Sequence, residues 1–206
     1  MDQWTNLAMA AALAWASGIR LYAVLFLVGL AGHFQWFGWM PPKSFAILSH
    51  PLVMGTTGFL VFVEFFADKI PGLDSLWGAI HTFVRIPAGA LLAAGIISQG
   101  DSEAWTMMAA LLGGSITAGT HFFKEGSRAA INTSPEPVSN IAASFTEEAA
   151  VVGGLWLAFQ HPLVFLLLLL LFTLLAIWLI PKLFRFVIGV IKRIANWIAP
   201  TAKPAG

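Results

Sequence analysis

The sequence predicts an all-α protein: a polytopic membrane helical bundle of about six spans, with broken or kinked helices and an amphipathic interfacial helix at the C-terminus. Three observations carry that expectation. Of 206 residues, 58% are hydrophobic and only 10% charged, whereas a soluble domain carries about 25% charged residues. Apolar runs of about the twenty residues that a helix needs to cross the hydrocarbon core recur along the chain, separated by short polar or proline-bearing stretches. Basic residues collect in alternate loops and in the tail, which is the asymmetry that orients membrane proteins.

Composition also excludes several classes. A net charge of +1 leaves no electrostatic footprint for nucleic acid. With no cysteine in the chain, disulfides, zinc ribbons, iron–sulfur clusters and thiol nucleophiles are ruled out. The opening MDQWTNLAMA has no basic n-region and carries Asp2, so a cleaved signal peptide is not expected.

The first apolar run, Trp4 to His33, is interrupted by Ser17-Gly18-Ile19-Arg20. It reads either as one tilted helix with Arg20 near its middle or as two half-helices meeting at the Ser-Gly pair, since irregular backbone is tolerated at depth where protein covers it. FQWFGWMPPKS, residues 34–44, is aromatic-rich and suits the headgroup level. The second span runs from Pro51 to Phe66 and the third from about Ser75 to Ser98, with Arg85-Ile86-Pro87 expected to bend it. The fourth span, Ala104 to Phe123, carries Gly113, Gly114, Ser115, Ala118 and Gly119. Such a small-residue face suits close helix contact, within one chain or in a homo-oligomer. Lys124 to Asn140 is polar, and its Asn132-Thr133-Ser134-Pro135-Glu136-Pro137 cannot be continuous helix. The fifth span is Ile141 to Phe159. His161-Pro162 turns into the sixth, Leu163 to Ile180, which has no charge at all.

Two domains follow: a transmembrane bundle over 1–181 and a basic amphipathic tail over 182–206. The tail's Lys182, Arg185, Lys192, Arg193 and Lys203 place the C-terminus in the cytoplasm. Counting back through six spans, the loops bearing Lys69 and Lys124/Arg128 also fall inside, and those bearing Asp101/Glu103 and His161 fall outside with Lys43. The expected location is thus the cell inner membrane, multi-pass, with both termini cytoplasmic. Short echoes (TNLA at 5–8 with SNIA at 139–142, HPLV at 50–53 with HPLV at 161–164) hint at an internal duplication, although four-residue matches arise easily in apolar sequence.

The chemistry sits in Val63–Gly89 and in a second batch of charges aimed at the same depth. Glu64/Asp68 and His81/Arg85 are spaced i,i+4, and His121, Glu125 and Arg128 follow at i,i+4,i+7, with Lys124 beside them and Glu147/Glu148 on the fifth span. Each helix therefore shows one charged stripe. Because an ionisable group at the bilayer centre costs about 2.5–3.5 kcal/mol, the stripes point to one another. The candidate binding residues are Arg20, Glu64, Asp68, His81, Arg85, His121, Lys124, Arg128, Glu147 and Glu148, with Asn132, Ser134 and Asn140 as polar lining. Asp74 and Lys69 lie in the same stretch.

Structural salt bridges such as Glu64–Arg85 or Arg20–Glu147 are the plainest alternative, with end charges snorkelling to the headgroups. A divalent-cation site is a second option, opposed by the neighbouring Lys and Arg and by the lack of a paired E-x-x-H motif. An anionic solute or headgroup held by Arg20, Arg85, Lys124 and Arg128, with His81 and His121 carrying protons, uses both signs of charge and is preferred. An intramembrane enzyme ranks last, because no serine-nucleophile, zinc or P-loop motif is present.

SGIRLY (17–22), EFFADKIPGLDSLWGAIHTFVRIPAG (64–89) and GSRAAINTSPEPVSN (126–140) together resemble an uncharacterised family of small bacterial integral membrane proteins, catalogued as a domain of unknown function. The resemblance covers nearly the whole chain up to the tail. It implies a multi-span inner-membrane protein and brings no activity with it. The functional expectation is transport or translocation of a small anionic or lipid-linked solute, with proton coupling as an option, membrane lipids as partners and no cofactor. A non-transporting accessory or lipid-binding scaffold is the alternative. A transporter should show a cavity leading to the charges, and a scaffold should show them paired and sealed.

Overall fold

The computed structural model describes residues 3–36, 43–70, 72–98, 102–133 and 137–198, and among these no strand occurs. Six long helices follow one another: α1 (Gln3–Phe34), α2 (Pro51–Ala67), α3 (Leu73–Ile97), α4 (Glu103–Ile131), α5 (Pro137–Gln160) and α6 (Pro162–Ile198), with a short 3-10 segment, Lys43–Ser49, ahead of α2. By length and composition α1, α3, α5 and α6 can each cross a membrane, and the 3-10 segment with α2, bent by 70°, makes a fifth candidate. Helix α4 is long enough at 29 residues, but its second half carries His121, Lys124, Glu125 and Arg128. Large apolar side chains cover the outside, with Phe83 84%, Leu52 72% and Leu91 71% exposed. A surface that apolar matches lipid rather than water.

The centre of the bundle is α1, which packs against every other element. Its first half is rich in alanine, and Ala8, Ala12, Leu13, Ala14 and Ala16 are fully buried. Small side chains let neighbours close in from all sides. At Gly18 an added Cβ would lie 2.6 Å from the Thr117 carbonyl, so glycine sets the α1–α4 separation there.

Arg20 leaves the helical region (φ −143°, ψ 74°) and divides α1 into two arms. The arms run in opposite directions, as α5 reveals by lying along both. Near the start of α5, Ser144 receives the Arg20 guanidinium. Further along, Gly154 packs on Trp15, and Leu155 and Phe159 line one cavity with Met9 and Leu13 of the first arm and Val28 and Ala31 of the second. Other contacts agree. The first arm descends in step with α4, through Thr117 Oγ1 donating to Ala14 O at 2.8 Å and Lys124 Nζ to Ile19 O at 3.0 Å. The second arm climbs against α2, where Phe26 meets Gly58 and Gly29 meets Met54. Of the two readings of this run, the structure adopts the half-helices, with the bend at Arg20 rather than at the Ser-Gly pair.

That reversal sends the two ends of the described chain toward opposite ends of the bundle. Met9 of the first arm shares a cavity with Phe159, next to the turn from α5 into α6, while Leu183 and Phe184 of α6 pack beside Gly126 at the charged end, and the helix continues from there to Ile198. One backbone break adds one reversal, which a count of apolar runs does not register. The echoes lose their meaning for the same reason. Thr5–Ala8 opens an arm running toward the charged end, whereas Ser139–Ala142 opens a helix running away from it. The two HPLV segments both open helices running toward it, so no single symmetry relates both pairs.

Two helices outrun their expected limits. Helix α4 continues past Phe123 to Ile131, because its polar last turns are buried and partnered rather than looped out. Helix α6 passes through Pro181 without ending, so no break separates residues 1–181 from the tail. Helix α3 likewise continues through Pro87. Gly113 and Gly114 of α4 pack on Ala93 and Ala90 of α3, whereas nothing lies within 4 Å of a Cβ added at Gly119. Gly113 and Gly114 of the small-residue face thus serve contact within the chain.

Candidate functional site

The apex of α1 carries the charged end of the bundle. At a helix break the last carbonyls of one half lose their intrahelical partners and attract cations. Here Lys124 Nζ donates to Ile19 O, and Arg85 Nη1 reaches Gly18 O at 3.5 Å. Arg20 itself is 2% exposed. Its guanidinium meets Asp68 at 3.0 Å, Glu147 and Glu148 at 3.4 Å each, and donates to Ser144 Oγ at 2.8 Å.

Around that apex the stripes from α2, α3, α4 and α5 converge. Asp68, in the turn after α2, is the hub. Its carboxylate accepts from Lys124 at 2.7 Å and faces Arg20 and, at 3.7 Å, Arg128. Burial pushes the Asp68 carboxyl up, but the three cations outweigh burial and hold it below the usual carboxylate range. Arg128 Nε donates to Glu147 at 2.8 Å, and its Nη1 donates to the carbonyls of Asp68 and Asn140. Glu147 also lies 3.3 Å from Lys124.

Two smaller groups flank the hub. In one, Arg85 pairs with Glu64, both almost fully buried, and its Nη1 lies 3.4 Å from His121 Nδ1. His121 Nε2 is 2.7 Å from Thr82 Oγ1, whose own proton goes to Gly78 O at 3.0 Å. That pattern places the His121 proton on Nε2. In the other group, Asn132 Nδ2 donates to the Asp74 carboxylate at 2.9 Å and 3.0 Å, and Asn140 Nδ2 donates to Asn132 Oδ1 at 2.8 Å. Asp74 also caps the turn into α3 by accepting from Gly72 N. Gly72 sits at φ +84°, where a side chain is disfavoured.

The structure thus brings together Arg20, Glu64, Asp68, Arg85, His121, Lys124, Arg128, Asn132, Asn140, Glu147 and Glu148. His81 stands apart from the ion pairs. Its ring stacks on Trp77 (centroids 4.1 Å apart) and meets Tyr22 edge-on. Ser134 and Pro135, residues 37–42 of the aromatic-rich stretch and the last residues of the tail lie outside the described residues. Sequence reasoning passed over Ser144, which joins Arg20 and Lys69 to Glu148, and Thr82. Their signals were weak: each lies one helical turn before a charged residue, Glu148 and Arg85.

Every one of the five cations Arg20, Lys69, Arg85, Lys124 and Arg128 has a carboxylate within 4.0 Å. Both bridges expected on structural grounds, Glu64–Arg85 and Arg20–Glu147, are present. Among the described residues no group of three or more His, Asp or Glu side chains is arranged to hold a metal ion. Some polar atoms are left over: Arg20 Nε, Glu64 Oε2, Arg85 Nε and Glu147 Oε2 are buried without a hydrogen-bond partner.

A cavity of about 420 Å³ reaches this cluster between α1, α2 and α5. Arg20, Glu64 and Glu148 line its inner end, and Phe26, Val61, Phe62 and Val151 line its walls. At that inner end Lys69 spans the gap, with Nζ 2.9 Å from the Phe65 ring centroid, donating to Ser144 Oγ at 3.2 Å and lying 3.9 Å from Glu148.

The family described as Domain of unknown function (DUF4126) matches residues 7–182, so the chain belongs to that family. No curated protein and no solved structure matches the chain.

Proposed function

Membership of a domain of unknown function sets no chemistry in advance, and from the site itself we propose that this protein is an integral membrane translocator of a small anionic or lipid-linked solute. The observation that carries the proposal is the cavity between α1, α2 and α5, charged at its inner end and apolar along its walls. A broken helix whose apex meets such a cavity is the arrangement by which many transporters hold a solute within the bilayer. Because the terminal nitrogens of Arg20 are already held by carboxylates, an arriving anionic group competes with Glu147 and Glu148 for that guanidinium.

In the membrane, the charged end faces the cytoplasm, where Lys69, Lys124, Arg128 and the basic end of α6 lie together. The second arm of α1 and helices α2 to α6 make six crossings, and the first arm adds a seventh traverse, entering from the opposite side. Its seventeen residues reach about 25 Å, close to the thickness of the hydrocarbon core. At 37 residues, α6 is about 55 Å long, so its basic end extends past the core to the cytoplasmic headgroups.

The second reading is a non-transporting scaffold, favoured by one observation: Asp68 meets three cations at once, as a permanent clasp would. Proteoliposomes separate the two. Fluorescent acidic lipid placed in one leaflet, and small anions presented to a supported membrane, should move faster with the protein than without it, and Arg20→Gln should abolish that movement. If the folded protein moves neither lipid nor anion, the scaffold stands and translocation falls.

A further inference from the structure

A second cavity, of about 490 Å³, fills the wedge between the two arms of α1 and is closed by α5. Its walls include Met9, Leu13, Val28, Leu155, Trp156 and Phe159, all apolar. Leu27 and Val152 line this wedge and also the charged cavity below it. The two spaces therefore abut across one pair of side chains, and together they form a track that begins at Arg20 and Glu64 and turns wholly apolar toward the other side of the bundle.

The floor of the track has defined hydrogen-bonding needs. Glu64 is 1% exposed and paired to Arg85 through one oxygen, while its Oε2 is buried without a partner. Arg20, which lines the same floor, has a buried donor, Nε, without a partner. Unmet buried polar groups are costly, so a group that both donates and accepts would satisfy the pair. Charge narrows the choice. Two carboxylates, Glu64 and Glu148, line the floor with Arg20, and Arg85 and Lys69 pair with them from beside it; so little surplus positive charge disfavours a fully ionised dianion relative to a head group that keeps a proton to share with Glu64.

We propose that the two cavities form one binding site for a membrane lipid with a monoprotonated phosphate head group. The head group sits between Arg20 and Glu64, and a hydrocarbon chain passes Leu27 and Val152 into the wedge between the arms. The polarity of the track agrees with a lipid of the cytoplasmic leaflet, whose chain points from the charged end toward the bilayer midplane. Lys69, which bridges α2 and α5, supplies a further cation beside the floor. This inference rests on the cavity reading above and names the class of ligand.

Native mass spectrometry of the delipidated full-length protein tests it, with dioleoyl phosphatidic acid, dioleoyl phosphatidylcholine and inorganic phosphate as probes. Phosphatidic acid should be retained about tenfold better than phosphatidylcholine, the factor carried by one hydrogen bond to a charged group. Inorganic phosphate alone should leave no adduct, because it lacks the chain. Glu64→Gln should reduce the preference to less than about twofold, and Val152→Trp or the milder Leu27→Phe should weaken retention of both lipids by obstructing the track. Equal retention of the two lipids by the wild-type protein overturns the proposal without any variant. So does a phosphate adduct, an unchanged preference in Glu64→Gln, or retention indifferent to both track variants. Selective binding without movement in proteoliposomes sinks translocation alone, and movement without head-group selectivity sinks only this inference.

Discussion

Replacing Asp68 by asparagine keeps the shape of the side chain and removes one charge from the most crowded point of the structure. Three cations face the carboxylate, with nitrogen–oxygen distances of 2.7 Å to Lys124, 3.0 Å to Arg20 and 3.7 Å to Arg128. All four side chains are nearly inaccessible, at 1–4% exposure. Solvent therefore cannot screen the repulsion left behind, and Glu147 must serve alone between Lys124 and Arg128. Removing one partner of a buried ion pair typically destabilises by about 3–5 kcal/mol. For a chain of this length each kcal/mol corresponds to about 2–4 °C in melting temperature, so Asp68→Asn should melt about 6–20 °C below the parent. Nine tryptophans supply the signal for a fluorescence melt in detergent. Glu148→Gln is the internal comparison: its side chain is 31% exposed and its ion pairs are long, so its loss should stay below about 1 kcal/mol. If Asp68→Asn melts within about 2 °C of the parent, the three cations do not depend on that carboxylate and the account of the hub is wrong.

Two further predictions concern the arms of α1. Gly18→Ala drives a Cβ against the Thr117 carbonyl, which is backbone and cannot swing aside, and it should destabilise by about 1–3 kcal/mol. Gly119→Ala meets nothing within 4 Å and should melt no lower than the parent; equal losses at the two sites would refute the close approach of α1 and α4. Because the chain has no cysteine, single cysteines can report sidedness without background. Gln3→Cys should react with an impermeant thiol reagent from the same side as His161→Cys and from the opposite side to Lys192→Cys, whereas reaction of Gln3→Cys together with Lys192→Cys would restore the layout with both ends on one side.

Much of the helix map was legible because long apolar runs dominate it. Helices α2, α3 and α5 begin and end within a few residues of where those runs do, and the i,i+4 spacing of Glu64/Asp68 and of His121/Glu125 was enough to say that each stripe faces one way. Which cation meets which carboxylate was not legible. That depends on how far each helix is rotated and slid, a difference of a few ångströms that no spacing along one chain records. The continuation of α4 to Ile131 was missed because Lys124 and Arg128 look like loop residues until their partners on α1, α2 and α5 are in place. His81 shows the reverse error, since its spacing put it on the stripe of Arg85 while its ring is taken up by Trp77 and Tyr22.

By itself the sequence determined the solvent, the helical class, the family and the band of residues where charge is concentrated. These follow from composition and local periodicity, which do not depend on what a helix packs against. Only the tertiary structure decided that α1 is the central element, that it doubles back at Arg20, and that two cavities meet along α5. A reversal takes a single pair of backbone dihedral angles. It is stable here because the carbonyls and the guanidinium exposed at the break find Lys124, Arg85, Asp68 and Ser144, all from distant parts of the chain.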